Sequence, residues 1–158
     1  MALKLQGLDN VLKNLNKEVQ GIENRSLKGL IRGSIIVRRS MEKQIPKIPI
    51  DTGNLRSSFF IVSSKGGSHA GSNPSFEGKN KAQLQAGHVS TVSEYKEKIK
   101  GGKPSVALGF SANYALFVHE NIGANFKRPG AGAKFFEVAL QKNKKDILEA
   151  VKKEAKVK

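Results

Sequence analysis

The chain has 158 residues, 38% of them hydrophobic, a net charge of +15 from 28 Lys and Arg against 13 Asp and Glu, and no Cys. That length reads as one domain able to bury about 68–70% of its unfolded surface, and the missing Cys excludes disulfide scaffolds, thiol nucleophiles and Cys-ligated zinc together. No apolar run of about 18 residues is present to span a bilayer, and Met1–Gly7 lacks the apolar stretch and cleavage site of a signal peptide, so a cytoplasm is the expected setting.

From Leu8, apolar residues fall at Leu8, Val11, Leu12, Leu15, Val19 and Ile22, the spacing of one helix face. A second helical set, Leu27, Leu30, Ile31, Val37, Met41 and Ile45, is rotated from the first by roughly 80° at 100° per residue. Gly21 and Asn24-Arg25-Ser26 supply a reason for a kink or break between them, since Gly weakens a helix and Asn or Ser can cap a new one. Unbroken, residues 8–45 would form a rod of roughly 55 Å against an expected radius of gyration near about 15 Å, and such a rod would need a partner to cover it.

Pro46 and Pro49 end the helix. In the turn that follows, Asp51 is placed to accept a backbone amide two or three residues on, Thr52 accompanies it, Gly53 is free to take positive φ, and Leu55 returns to the core with Arg56 at the turn. Phe59–Val62 reads as a strand. Residues 65–81, rich in Gly, Ser, Asn and Lys, read as loop or disordered. Imperfect alternation marks Gln83–Val92 as a second strand, Tyr95–Lys100 as a charged connector, and Ser105–Phe110 as a further strand.

Asn113–Glu120 reads as a short helix or turn with Tyr114, Phe117 and Val118 in the core, and residues 126–132 as loop. The last helix is expected to start near Ala133, with Phe136, Leu140, Ile147 and Val151 on one face and Lys142, Lys145, Lys152, Lys153 and Lys156 on the other. The class is therefore α+β: a kinked or broken N-terminal helix pair, a small mostly antiparallel sheet, a short middle helix and an amphipathic C-terminal helix. It forms one domain, 1–158, with a polar flexible insertion at about 65–103 and no internal repeat.

The positive charge admits nucleic acid, anionic lipid or an acidic protein as partners. It is spread along the chain: residues 1–50 hold ten basic and four acidic groups, 51–100 seven and four, 101–158 eleven and five. No nucleic-acid-binding motif accompanies it, and a solvated basic surface is the default reading. His69, His88 and His119 lack metal-ligand spacing and read as structural or surface residues. One Asp-Thr-Gly is half of what an aspartic protease needs, so a hydrolase using Asp51 or Glu120 is a third reading, without a substrate. Gly130-Ala131-Gly132-Ala133-Lys134 has the wrong spacing for a P-loop and reads as a tight lead into the last helix. No catalytic, metal or cofactor residue is assigned.

Three segments carry a family resemblance. Pro49-Ile50-Asp51-Thr52-Gly53-Asn54-Leu55-Arg56, then Tyr114-Ala115-Leu116-Phe117-Val118-His119-Glu120, then Phe135-Phe136-Glu137-Val138-Ala139-Leu140 follow one another in the order of the signature turn, the Tyr-Ala segment ending in an acid, and the opening of the last helix. Together they resemble the tailed-bacteriophage neck proteins, also called tail-completion, head-to-tail joining or minor capsid proteins. The chain departs from that pattern in having His119 as an extra residue before the acid and Asn121-Ile122-Gly123 where Gly-Thr usually follows.

The resemblance implies a non-enzymatic virion protein, made in the host cytoplasm. It implies a homo-oligomeric ring, a hexamer or a matching multiple, between a connector, adaptor or portal protein and the tail terminator or tail tube, close to packaged DNA. Asp51, Thr52, Gly53, Leu55 and Arg56 would be the structural turn, and Arg56, Tyr114, His119, Glu120 and Lys134 candidate interface residues. Arg56 and Glu120, of opposite charge, are candidates to pair. The polar 65–103 segment would be a docking arm. The alternative is a basic nucleic-acid-binding module.

Overall fold

A computed structural model describes residues 8–156. The leader reading of Met1–Gly7 lies outside them. In chain order the elements are α1 (Leu8–Lys43), α2 (Asn54–Ser57), β1 (Phe59–Ser63), β2 (Ser68–Ala70), α3 (Lys81–Ile99), β3 (Val106–Phe110), α4 (Ala115–Glu120), α5 (Phe135–Lys142) and α6 (Lys144–Ala155). The fold is α+β, built on a three-stranded antiparallel sheet in the order β2-β1-β3. No described helix is long and apolar enough to cross a membrane.

The central strand explains its own sequence. β1 is buried along its whole length, and a strand covered on both faces is written as a continuous apolar run rather than an alternation. Phe59 and Ile61 join Val37 and Met41 of α1 and Phe135 and Ala139 of α5. Phe60 and Val62 face the other way, onto Val92 of α3. β3 pairs with β1 in register from Phe59 opposite Phe110 to Ser63 opposite Val106.

The break expected near residues 21–26 is absent: α1 is a single helix of 36 residues, about 54 Å at 1.5 Å per residue. The expected rotation between its halves came from counting only large apolar residues. The face actually buried in the second half includes Gly29, Gly33, Ser34 and Ser40 beside Leu27, Val37 and Met41, and its centre lies within roughly 30° of the Leu8–Ile22 stripe at 100° per residue. The glycines are there because α6 lies on them, antiparallel and close. A Cβ on Gly33 would stand 2.8 Å from Ile147 Cγ2, and one on Gly29 would stand 2.7 Å from Val151 Cα. Lys28 and Arg32 close the contact by pairing with Glu154.

Residues 65–103 hold two elements the sequence reading missed. Ser68–Ala70 is an edge strand on β1, and the strand expected over Gln83–Val92, with the connector after it, is one helix of 19 residues, α3. Its inward stripe is Leu84, His88 and Val92, four residues apart, with Tyr95 tilted against Phe60 at 5.6 Å. The histidine in that stripe disguised a helical period as weak alternation.

At the other end, Phe117 is not in the core: Leu116 and Phe117 are 72% and 71% exposed and Tyr114 is 37% exposed, while Val118 packs inward. The single last helix is two, because Asn143 turns its side chain back to donate to the Ala139 carbonyl at 2.7 Å, a local bond that competes with helix continuation. The buried face of α5 is consequently Phe135 and Ala139, one position before the expected Phe136 and Leu140. The Lys142, Lys145, Lys152, Lys153 and Lys156 side is exposed as expected.

Candidate functional site

The three motif segments, far apart in sequence, meet in one corner of the molecule. Leu55 from the turn and Phe135 and Ala139 from α5 are buried in the same cluster, and Ala115 and Val118 of α4 pack on it. Beside them opens a groove of about 690 Å³ between the turn, α3 and α4, with Phe126 and Lys127 on its rim.

The turn is built much as its residue types dictate. Gly53 has φ 87° and nothing within 4 Å of the position a Cβ would take, so glycine is required there by backbone conformation and not by crowding. The side-chain oxygen that receives the Asn54 amide is that of Thr52, at 3.4 Å. Asp51, expected to do this, instead reaches out to the Lys127 ammonium at 2.5 Å. That ion pair raises the Lys127 pKa. Tyr114 is raised too, first by burial of its phenol and second by the negative charge of Asp51.

Asn54, the variable position of the turn, is the residue that sequence reasoning overlooked. It is 7% exposed, donates from Nδ2 to the Glu77 carbonyl at 2.9 Å and accepts the Glu77 amide at 2.8 Å. The pair of bonds fastens the 72–80 loop to the turn and forms one wall of the groove. His88, 2% exposed, fixes another wall: its ring contacts Ser111 Oγ at 2.7 Å and the Gly71 carbonyl at 2.6 Å, linking α3 to the loops flanking β2 and β3.

Within one chain Arg56 and Glu120 do not pair. Arg56 Nε donates to Glu42 Oε1 at 2.8 Å, and the same carboxylate takes Arg38 at 3.1 Å and Arg128 at 3.3 Å. Arg128 also donates to the Glu42 and Ile48 carbonyls, both at 2.9 Å, covering the C-terminal end of α1 with positive charge where the helix dipole favours it. Arg38, stacked 4.7 Å from the Phe59 ring centre, has its pKa lowered, chiefly by burial.

Glu120 belongs to a separate cluster with two of its fellow candidates. His119 donates from Nδ1 to Glu120 at 2.7 Å, while its Nε2 receives the Glu137 amide at the start of α5. Lys134, held at φ 58°, points its ammonium at both Glu120 and Glu137. The hydrogen bond from Lys134, and then that from His119, hold the Glu120 carboxyl below its ordinary pKa. With the Lys134 amide bonded to the His119 carbonyl at 2.7 Å, the cluster pins both ends of the 121–133 loop together. Of the five candidate interface residues, then, His119, Glu120 and Lys134 form one unit, Tyr114 lines the groove with Asp51, and Arg56 lies apart.

The groove is lined by amides, the Tyr114 phenol, the hydroxyl residues Thr52 and Ser111, apolar side chains, Glu77, Lys79, and Asp51 paired with Lys127. Among the described residues no three His, Cys, Asp or Glu converge to hold a metal. No protein-family model, curated protein or solved structure matches the chain.

Proposed function

We propose that the chain is a non-enzymatic structural protein of a tailed phage or prophage particle, one subunit of a ring at the neck where head and tail are joined. The observation that carries this reading is the meeting of the three motif segments. Leu55, Val118 and Phe135 share one core, and the turn and α4 frame one groove. Residues chosen for a common architectural task would be placed in this way. The ring would be a hexamer or a matching multiple, with connector or portal on one side and tail terminator or tail tube on the other.

With α3 packed on β1, our reading narrows the docking arm within residues 65–103 to the 72–80 loop beside the groove. The test is assembly in vivo. A phage genome carrying an amber codon at this gene is expected to yield separate DNA-filled heads and finished tails by electron microscopy; joined, infectious particles would refute the reading.

A basic nucleic-acid-binding module is the second reading, favoured by the net charge of +15. It requires affinity for duplex DNA that falls steeply with added salt, since each phosphate contact releases counterions. Absence of binding near physiological salt removes it.

A further inference from the structure

Three guanidiniums share one carboxylate beside the turn. Arg56 Nε and Arg38 Nη2 meet the same oxygen, Glu42 Oε1, at 2.8 and 3.1 Å, and Arg128 takes the other oxygen at 3.3 Å. Arg38, Glu42 and Arg128 are only 24%, 18% and 22% exposed, so salt screens them less than it screens a surface cluster. The cluster holds two more positive charges than negative ones, and the partial charge of about −0.5 at the end of α1 still leaves the excess above one.

That excess borders a basin of about 370 Å³. Arg38 and Arg56 with Ser57 line it from α1 and α2, and Ser72, Asn73 and Ser75 line it from the loop after β2. No Asp or Glu is among the lining residues. Glu77, further along the loop, lines the groove on the Asn54 side, and His69 turns to Ser63 at 3.0 Å. Arg56, 52% exposed, meets Glu42 through Nε, and its two Nη groups carry four more N–H donors. Arg38 Nη1 is buried without a partner, a charged group whose cost an anion in the basin offsets through space.

The loop is held in place ahead of any ligand. Gly71 runs so close to β1 that a Cβ would stand 2.3 Å from the Phe59 carbonyl oxygen, and its φ is 71°, so only glycine fits. Its carbonyl is bonded to His88 at 2.6 Å, and Glu77 is fastened to Asn54 at the other end. Residues 72–76 are therefore a strap fixed at both ends, and a site ordered in advance loses less on binding.

Charge and shape together select the ligand. A carboxylate or a phosphodiester brings one negative charge and leaves the cluster positive, and a carboxylate offers only two oxygens. Phosphate, free or as a monoester, brings close to two negative charges and at least three acceptor oxygens. Those oxygens suit guanidinium N–H groups from α1 and α2 together with hydroxyl and amide donors from the strap. The basin is also large enough to admit a small organic group beside the phosphate.

We propose that this basin binds a phosphate dianion, free or on a small monoester. The bound ion bridges α1 and α2 to the 72–76 strap. The assignment goes beyond the neck reading and does not depend on it.

The full chain is tested by calorimetry at a pH of about 7.5, where the second proton of a monoester, with a pKa of about 6, has left. Inorganic phosphate and AMP are the probes, and amide NMR locates them. Both are expected to bind, to raise the melting temperature by mass action and to shift the Ser72, Asn73 and Ser75 amides; phosphate bound without AMP assigns the site to the free ion. Cyclic AMP, of similar size with one charge, and malonate, a dianion without the tetrahedral head, are each expected to bind at least roughly tenfold more weakly. Arg56→Gln should weaken phosphate binding at least roughly tenfold, the worth of one charge-assisted hydrogen bond, with the far-UV spectrum unchanged. Ser75→Asp places a negative charge in the basin from an exposed loop position and should weaken it as much; it carries the test if loss of the Glu42 pair unfolds Arg56→Gln. Neither probe bound at about 10 mM, equal affinity for cyclic AMP or malonate, or phosphate binding unchanged by Ser75→Asp would overturn the proposal, and each would leave the neck reading standing.

Discussion

The two halves of α1 carry one apolar stripe under opposite circumstances. From Leu27 to Met41 the stripe is interrupted by Gly29 and Gly33, is covered by α5, α6 and the sheet, and ends under Arg128. From Leu8 to Ile22 it is richer in large apolar residues and nothing in the described chain covers it. The number of large apolar side chains on a face is therefore a poor guide to where a core forms. Small residues mark where another backbone comes close.

The largest expected contrast is a pair of truncations in this one helix. Met41, fully buried, should lose about 2–5 kcal/mol on replacement by Ala, the transfer and cavity cost of a core side chain. Leu15→Ala, at 57% exposure, should leave the unfolding free energy of the dilute monomer within about 0.5 kcal/mol of wild type. Guanidinium denaturation at low protein concentration measures both. Equal losses would mean that the arm is covered within the monomer.

Glycine gives the same contrast with opposite signs. Gly29→Ala would press a methyl against the Val151 backbone, where a Cβ stands 2.7 Å from Cα, and should destabilise by about 1–3 kcal/mol despite the better helix propensity. Gly21→Ala meets only the movable Arg25 guanidinium at 3.3 Å and should stabilise by about 0.5–1 kcal/mol. Thermal melts of the two variants decide it.

These glycines also show which parts of the molecule were legible in the sequence. The strands at Phe59–Val62 and Ser105–Phe110, the Gly53 turn and the burial of Leu55 followed from residue types whose local preference and tertiary setting agree. Most failures came where a small or polar residue takes a core position, Gly29 and Gly33 in α1, His88 in α3 and Asn143 between α5 and α6, while at Tyr114 and Phe117 large residues expected in the core are exposed. Each of those small or polar residues interrupts the apolar period from which helices are read. Of the residues around the groove, the Gly53 turn was visible. The tether from Asn54 to Glu77 and the reach of Arg128 to α1 were not, since both are long-range bonds to backbone atoms that no sequence spacing encodes.

Arg128 sets the two ends of α1 against each other at lower energy. Its three contacts at the C-terminal end, to the Glu42 side chain and to the Glu42 and Ile48 carbonyls, should make Arg128→Ala cost about 1–2 kcal/mol, part of the charged-bond value being screened by solvent. Lys17→Ala in the exposed arm should cost nothing measurable. Amide exchange should quicken in the last turn of α1 for the first variant and be unchanged there for the second.

The smallest effect concerns the corner opposite the arm. Glu120 is held below the ordinary carboxylate pKa by Lys134 and then by His119. A group whose folded pKa is depressed adds stability above its unfolded value and loses that contribution as pH falls through the folded one. The carboxyl carbon of Glu120, followed by NMR, should therefore titrate below the ordinary glutamate value of about 4.3, and Lys134→Met should return the midpoint toward it. The stability difference between wild type and Lys134→Met should shrink as the pH drops beneath the glutamate range. A midpoint unchanged by Lys134→Met would mean that the ammonium spends its time in water, and that the ends of the 121–133 loop are held by the backbone bond from Lys134 to His119 alone.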